Sequence, residues 1–422
     1  MPLSTCVVLP TRTASALLSP DMNPVAIYTL TSELHDEQAV GTVTQEFLGS
    51  LRVDFDFRNS DYSDYGSHLL DLIYVRTGGT EGIFKRLSSE LQSKSDRPFY
   101  LLTSGKSNSL AASLEILSFL RQNGLRGEIL HGQADYVSNK IRMLAKIGEA
   151  KRQLSGCRLG VIGQPSDWLI ASNADRARVK DLTGISLVDI PMQELLDTLF
   201  AMPHEKPADQ VSKDAVQSAL PGAVRIYNAL NAIVERYALQ GFTLRCFDLL
   251  TAVRNTGCLA LARLNAEGIV AGCEGDVPAM LSMMIVKTLV GVSGFQANPA
   301  YINPETGEML FAHCTIPLNM VERYEYDTHF ESGIGVGIRG YMHEGPVTVF
   351  KVSGDLSRSF IAEGQLVRNQ SQPDLCRTQQ VIRLDDPTQA NYFLTNPIGN
   401  HHIILPGHCR TLLEECVASL SR

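Results

Sequence analysis

The sequence lacks a long hydrophobic run, a basic cluster and any pair of cysteines spaced as CxxC. The longest apolar stretch, Ala279 to Val292, has fourteen residues and includes Lys287, so it predicts a buried helix rather than a membrane span. The net charge is −8 and the lysines and arginines are dispersed, which argues against nucleic acid or an anionic membrane as a partner. The nine cysteines are odd in number and widely spaced, which argues against a disulfide framework and a zinc site.

The composition is that of a globular chain with more than one domain. The 422 residues suffice for two or three domains, and an apolar content of 44% with a mean hydropathy of −0.01 excludes a disordered chain. The first twenty residues do not combine a basic segment with an unbroken apolar one, so we expect no secretion signal and a cytoplasmic protein. A small neutral molecule is the substrate class that this composition favours.

The order of apolar and polar segments predicts the fold class. Apolar runs such as Leu70–Val75, Phe99–Thr103 and Arg158–Ile162 alternate with polar turns and amphipathic stretches, which is typical of parallel sheets covered by helices. A polar stretch from 204 to 214 predicts a loop, and the short β-rich runs after residue 241 predict antiparallel strands. We therefore expect an α/β protein with two flavodoxin-like parallel-sheet domains at 1–152 and 153–240 and a mixed α/β C-terminal domain with antiparallel strands at 241–422, which would bind metal and substrate.

The segment Gly268–Gly291 carries two acidic residues between a predicted strand and a predicted helix. Ligands of open α/β sheets bind at the carboxyl ends of strands, where Glu274 and Asp276 lie. Asp276, followed by Pro278, is typical of a helix N-cap. An unpaired Glu274 carboxylate would be costly to bury, so its role is that of a metal ligand, a partner in a buried ion pair or a catalytic acid–base.

Three histidines near the C-terminal half are candidate metal ligands. His313 ends the apolar run MLFAH and is either a hydrogen-bonded core residue or a ligand. The adjacent His401 and His402 would point to opposite faces of a strand, so at most one of them faces a given site. Neutral imidazole is a common ligand of divalent transition metals. One carboxylate and two imidazoles from three segments could therefore hold Mn²⁺ or a similar ion.

Three further polar residues are candidates for the site, His329 and Arg377 for substrate binding and Glu331 for catalysis. His329 and Glu331 share strand parity and could face the site together, or they form a surface turn or an interface. Arg377 could bind a sugar hydroxyl or a carboxylate, or it forms an ion pair with a nearby acid.

Five segments resemble the L-fucose and L-arabinose isomerase superfamily, in particular its short fucose-isomerase-like proteins. CEGDVPAMLSMMIVKTLVG is similar to the segment with the metal-binding glutamate, LFAHC to the segment with a metal-binding histidine, and GNHH to the last ligand segment. LLTSGKSNSLAASLEI and LGVIGQPSDWLIAS are similar to the α/β domains. The resemblance covers nearly the whole chain.

The resemblance implies roles for several of these residues. Glu274 would be a metal ligand and acid–base, His313 a ligand, and His401 or His402 the last ligand. The family has a second carboxylate 24 residues after the first, where this chain has Asn298. An amide oxygen can bind a metal but cannot exchange a proton near neutral pH, so Glu274 alone, or with Asp276 or Glu331, would move the proton.

The implied activity is that of a metal-dependent aldose–ketose isomerase acting on a small sugar by enediol proton transfer. Its cofactor would be Mn²⁺ or another divalent cation, and it would be a homo-oligomer, a trimer or a hexamer, without nucleic acid or membrane partners. Asn298 leaves two alternatives open: a metal-dependent sugar epimerase or related enzyme, and a sugar-binding protein without catalytic activity.

Overall fold

The computed structural model describes residues 24–203 and 213–420, which divide into two units, 24–152 and 153–420. The first twenty residues, predicted to carry no secretion signal, lie outside these ranges, and so does the loop predicted from 204 to 214 except its last two residues. Within the described ranges, no helix has both the length and the apolar character that crossing a bilayer requires.

The N-terminal unit is a parallel sheet flanked by helices. Its elements are β1 (Val25–Leu30), α1 (Glu37–Ser50), β2 (Asp56–Asn59), β3 (Leu70–Val75), α2 (Glu81–Lys94), β4 (Phe99–Leu102), α3 (Ser109–Gln122), β5 (Gly127–Leu130) and α4 (Ala134–Leu154). Every residue of β1 and β3 is buried, because helices cover both faces of the sheet. The strand order β2-β1-β3-β4-β5 is that of the flavodoxin-like folds, which confirms the predicted class.

The C-terminal unit begins with a second parallel sheet. Its elements are β6 (Arg158–Ile162), α5 (Arg176–Thr183), β7 (Ser186–Ile190), α6 (Met192–Ala201), α7 (Asp214–Tyr237), β8 (Gly241–Leu244), α8 (Asp248–Val253), α9 (Cys258–Ala266), β9 (Val270–Cys273) and α10 (Val277–Val290). The strand order is β7-β6-β8-β9. From β6 the chain passes to one side and then returns to the other, so the topological switch point lies between the carboxyl ends of β6 and β8.

This second sheet continues past the domain boundary that the sequence predicts at residue 240. β8 pairs with β6 and β9 pairs with β8, so the predicted boundary falls inside a sheet rather than between two units. The reason is that β8 and β9 repeat the strand–helix pattern of the preceding segment, while the antiparallel character begins only after α10.

Antiparallel strands follow, as the β-rich runs predict, and the structure shows that they close into a barrel. It is formed by β10 (Phe295–Ile302), β11 (Glu308–His313), β14 (Gly345–Val352), β15 (Ser359–Gln370), β16 (Thr378–Leu384) and β17 (His402–Pro406), in the order β10-β11-β16-β15-β14-β17. A separate ribbon pairs β12 (Arg323–Asp327) with β13 (Gly337–Tyr341), and α11 (Asn391–Thr395) and α12 (Arg410–Leu420) complete the unit. Apolar side chains fill the barrel, among them Phe295, Phe311, Val349, Ile382 and Ile404.

Helix α10 joins the second sheet to the barrel. It packs against β9 on one side and against β14 and β17 on the other, and twelve of its fourteen residues are buried. The predicted buried helix is thereby confirmed, and the carboxyl end of β9 is brought to the rim of the barrel.

Candidate metal centre

The turn between β9 and α10 has an unusual backbone. The N–H of Asp276 donates to the carbonyl of Cys273 at 3.2 Å, and both central residues have positive φ, 62° for Glu274 and 73° for Gly275. Such a φ costs a non-glycine residue about 1–3 kcal/mol, and strain of this kind concentrates at functional sites. The turn thus holds Glu274 in a conformation that the neighbouring structure must enforce.

The loop after β6 enforces that conformation. The N–H of Ser166 donates to the carbonyl of Glu274 at 2.9 Å. A Cβ on Gly275 would lie 2.6 Å from the carbonyl oxygen of Gln164, so only glycine fits beside this loop. The indole N–H of Trp168 donates to Oε2 of Glu274 at 2.7 Å. The loop therefore fixes both the backbone and the side chain of the glutamate.

Two histidines of the barrel rim meet the other carboxylate oxygen. Oε1 of Glu274 lies 3.7 Å from Nε2 of His313 and 3.5 Å from Nε2 of His401. The two imidazole rings are 5.4 Å apart, all three side chains are buried, and their ligand atoms lie within 4.8 Å of one another. One carboxylate and two imidazoles so placed can hold a divalent cation.

Asp276 orients His401. Nδ1–H of His401 donates to Oδ2 of Asp276 at 2.9 Å, which turns Nε2 toward Glu274. The same carboxylate caps α10 through the N–H of Ala279 at 2.8 Å, which confirms the predicted N-cap. Lys351, itself buried, places its ammonium 3.4 Å from Asp276. Asp276 thus caps the helix, orients the histidine and forms an ion pair with the lysine.

In this network, burial and the neighbouring charges shift the pKa of each group in opposite directions. Burial raises the pKa of Glu274 and Asp276, but His313 and His401 beside Glu274, and Lys351 and His401 beside Asp276, outweigh it and hold each pKa below its usual range. Burial likewise lowers the pKa of His401, but the two carboxylates outweigh it and raise that pKa to about 9. The two carboxylates therefore attract positive charge to the position between the imidazoles.

Asn298 lies on the strand between the two histidine-bearing strands. It pairs with Ala312 of β11, next to His313, and the preceding Ala297 pairs with His402 of β17, next to His401. Within the described residues, neither Oδ1 of Asn298 nor Nε2 of His401 has a hydrogen-bond partner, although both atoms are buried. Buried polar atoms rarely lack a partner, so these two atoms fit the ligand set of a cation.

His402 faces away from this group, as strand alternation predicts. Nδ1–H of His402 donates to the carbonyl of Asn400 at 3.1 Å, and Nε2 accepts from the hydroxyl of Tyr392 at 3.0 Å. The ring packs against Phe360 and Phe393, and burial followed by the charge of Lys351 lowers its pKa to about 3. Of the two histidines predicted as alternative ligands, the structure brings only His401 to the group.

The histidine pair provides a matched test of this assignment. We expect His401→Gln to weaken Mn²⁺ binding by more than the roughly 10–100-fold typical of an outer-shell change, because it removes a ligand atom. We expect His402→Gln to leave Mn²⁺ affinity within a few-fold of the parent. Calorimetric titration of the two metal-stripped variants makes the comparison, and equal losses in both would contradict the assignment.

His329 and Glu331 lie within electrostatic reach of the group. His329 is buried, with Nδ1 3.0 Å from the hydroxyl of Ser332, and burial, then His313 and Arg377, lower its pKa to about 4. Glu331 is exposed, and the pKa of its carboxyl is raised first by desolvation and then by the charge of Glu274. Their predicted roles in substrate binding and catalysis stay predictions.

The guanidinium of Arg377 contacts other residues of the protein. Its Nε–H donates to the carbonyl of Thr328 at 2.8 Å and lies 3.8 Å from Oδ2 of Asp327, while its carbon Cζ lies 5.7 Å from the ring of Phe330. This is the ion pair with a nearby acid that the sequence left open as an alternative. The guanidinium therefore positions the segment that leads to His329.

Sequence reasoning missed Trp168. Its segment resembles an α/β domain, but nothing in the local pattern indicates a contact with a glutamate 106 residues further on. The ring of Trp168 meets Phe247 edge-on at 4.8 Å, and Phe247 meets His329 edge-on at 5.6 Å. The available signal was the position of an aromatic donor just after a strand, at the carboxyl edge of the sheet that carries Glu274.

We expect Trp168→Phe to lower Mn²⁺ affinity by about 10–100-fold, because it removes the hydrogen bond that orients a ligand carboxylate. The matched control is Phe247→Leu, which disturbs the packing of the indole ring but keeps its N–H. Calorimetric titration of both variants checks this. An unchanged affinity in Trp168→Phe, or an equal loss in Phe247→Leu, would show that the hydrogen bond itself does not matter.

A cavity of ≈ 780 Å³ opens at the same edge of the second sheet, where the switch point lies. Gln164, Pro165 and Asp167 form one wall, so the cavity and the metal centre share the loop that carries Trp168. Its two guanidinium groups already have partners: Arg245 bonds Asp167 at 2.8 Å and Arg176 bonds Asp189 at 2.5 Å. No local pattern indicates this cavity, because its walls come from the separate segments after β6, β7 and β8.

No family model matches the chain. It is similar to proteins named sulfoquinovose isomerase. The sequence is 23% identical to that of Alkalicoccus urumqiensis over 58% of this chain and 59% of the relative. It is 24% identical to that of Clostridium sp. (strain MSTE9) over 52% of this chain and 50% of the relative. It is 21% identical to the protein of Priestia aryabhattai over 58% of this chain and 59% of the relative. The chain thus spans between half and three fifths of these relatives, and the resemblance to the fucose and arabinose isomerases stays a prediction.

Proposed function

We propose that the protein is a metal-dependent aldose–ketose isomerase that acts on a small sugar. The observation that carries this is the convergence of Glu274, His313 and His401 in one buried group at the barrel rim. Relatives named sulfoquinovose isomerase support the reaction type, since that name describes an intramolecular rearrangement of a sugar. Because they are matched only in part, the proposal also depends on the geometry of the group itself.

The proposed cofactor is Mn²⁺ or a similar divalent cation. Glu274, His313 and His401 would hold it, with the amide oxygen of Asn298 as a further ligand. The fit is supported by the buried atoms of Asn298 and His401 that have no partner among the described residues. When bound, the cation supplies Lewis acidity to the hydroxyl and carbonyl oxygens of the sugar.

Three carboxyl groups are assigned the proton-transfer and positioning roles. Glu274 is the base that removes the proton from C2 of the aldose and returns it to C1, while the proton of the O2 hydroxyl moves to O1. Asp276 is fully buried and its carboxylate is held by Ala279, His401 and Lys351, so we assign it a positioning role rather than proton transfer. Glu331 is exposed, and desolvation followed by the charge of Glu274 raises the pKa of its carboxyl, so we assign it the transfer of the hydroxyl proton.

Solvent deuterium uptake tests the proposal. The full-length protein with Mn²⁺ is incubated in D₂O with a panel of aldoses and ketoses that includes sulfoquinovose, and the sugars are followed by NMR. We expect one sugar to be converted to its ketose or aldose isomer, with deuterium on the carbon next to the carbonyl, and chelation of the metal to stop the exchange. Conversion to an epimeric aldose would favour the epimerase alternative.

The absence of exchange with every sugar, under conditions in which a known isomerase works, would reject the proposed reaction. A tight complex with a sugar in the same samples would then favour the sugar-binding alternative.

A further inference from the structure

A second group of metal-ligating side chains lies at the opposite end of the barrel. Glu363 belongs to β15, Asp385 follows β16 and His408 follows β17, and their ligand atoms lie within 4.8 Å of one another. The candidate metal centre uses the residue before β17, His401, whereas this group uses a residue after it. At about 3.3 Å per residue the two histidines are about 20 Å apart, so the groups are separate.

The strand register brings these three residues together. Glu363 pairs with Thr348 of β14, and the N–H of Asp385 donates to the carbonyl of Glu363 at 2.9 Å. The hydroxyl of Thr348 donates to the carbonyl of Gly407 at 2.7 Å and accepts from the N–H of Cys409 at 2.9 Å. Thr348 therefore holds the residues on both sides of His408, and the sheet fixes the arrangement.

The spacing of the ligand atoms suits one small cation. Nε2 of His408 lies 3.4 Å from Oδ2 of Asp385, and two ligands of a tetrahedral ion with bonds of about 2.0–2.1 Å are about 3.3 Å apart. The same nitrogen lies 3.3 Å from the carbonyl of Gly364 and 3.3 Å from the amide of Gln365. The imidazole nitrogen thus lies beside a carboxylate and a carbonyl oxygen, which can bind a cation, and beside the NH2 group of Gln365, a hydrogen-bond donor that a bound ion would displace.

The neighbouring Arg410 contacts Glu363 through its backbone N–H and not through its guanidinium. Oε1 of Glu363 accepts from the N–H of Arg410 at 3.0 Å, so Oε2 is the oxygen that would bind. The guanidinium of Arg410 is directed to Glu414, at 2.7 Å, rather than into the group. His408 is mostly buried, with 21% of its side chain exposed, while Asp385, at 47%, gives an ion access from solvent.

We propose that Glu363, Asp385 and His408 form a second divalent-metal site, of a ligand set suited to Zn²⁺ or Co²⁺. Two carboxylates and one imidazole neutralise a dication, and no part of the proposed isomerase chemistry requires this site. Because α12 begins two residues after His408, a bound ion would link the start of that helix to β15 and to the end of β16. The site would therefore be structural.

Co²⁺ is the probe, because its visible absorption spectrum reports the ligand set. The metal-stripped full-length protein is titrated with Co²⁺ and the bound equivalents are counted. We expect two equivalents in the parent protein and one in a Glu274→Gln/His401→Gln variant. Adding Asp385→Asn, an exposed change that leaves the barrel packing intact, is expected to remove the last equivalent. Asp386→Asn, at the neighbouring exposed acid, is the matched control and is expected to keep it.

His408→Gln on the same background is a second test, expected to remove both the equivalent and its absorption bands. Binding of no equivalent by the Glu274→Gln/His401→Gln variant, or retention of the last equivalent in both Asp385→Asn and His408→Gln, would overturn the proposal. Neither result depends on whether the protein proves to be an isomerase, since the readout is metal stoichiometry alone.

Discussion

Replacing Glu274 with glutamine is expected to lower isomerase activity by about 10²–10⁴-fold, the range that loss of a general acid–base produces. The amide cannot accept the proton from the sugar, and it also weakens the cation group, because a neutral oxygen replaces the charge between His313 and His401. The stabilisation by Mn²⁺ against thermal unfolding is therefore expected to disappear as well. Deuterium exchange and melting curves with and without Mn²⁺ measure the two effects.

Glu325→Gln is the matched control for Glu274→Gln. Glu325 is exposed on β12 and its carboxylate forms an ion pair with Arg323 on the same strand, so its replacement should change neither activity nor the response to Mn²⁺. If Glu274→Gln kept both the exchange and the Mn²⁺ response, the metal centre would have to be sought elsewhere.

Asp276→Asn is expected to lower the free energy of unfolding by about 3–5 kcal/mol, because it leaves the ammonium of Lys351 buried without its counter-charge. Lys351 is 1% exposed and Asp276 is 0% exposed, so solvent does not screen the loss. Mn²⁺ affinity is expected to fall too, since a neutral amide oxygen replaces the charged acceptor that orients His401. Urea unfolding and metal titration of the same variant measure both quantities.

A second variant separates the two consequences of Asp276→Asn. Asp276→Asn/Lys351→Met removes the unpaired charge, so it should recover part of the free energy of unfolding while Mn²⁺ affinity stays low. Recovery of both quantities would mean that Lys351, rather than the orientation of His401, controls the metal centre. No recovery of stability would mean that the ion pair is not what Asp276 contributes.

Local patterns predicted the elements well, because each depends on residues close in sequence. The runs Leu70–Val75 and Arg158–Ile162 are strands with the predicted bounds, since an unbroken apolar run suits a strand buried on both faces. Asp276 caps α10, as a helix-starting Asp–x–Pro pattern indicates. The opposite orientation of His401 and His402 followed from strand geometry alone.

The contacts within the metal centre and the closure of the barrel join residues that are distant in sequence, and no local pattern encodes them. Trp168 meets Glu274 across 106 residues, and Lys351 meets Asp276 across 75. The positive φ of Glu274 was also hidden, because the sequence shows a residue that ordinarily avoids this conformation. The closure of the barrel arises from β17, the last strand, pairing with β10 and β14, so its register could not be obtained from any one segment.

The loop after β6 has one more consequence. Trp168 is the only tryptophan of the chain, its side chain is about half exposed at 52%, and its indole N–H lies on a carboxylate of the metal centre. The tryptophan fluorescence of the unlabelled protein therefore originates at a single point, one hydrogen bond from the proposed ion. Any event that moves Glu274, whether metal entry, sugar binding or turnover, changes the surroundings of that one emitter, so the protein carries its own optical reporter for stopped-flow kinetics.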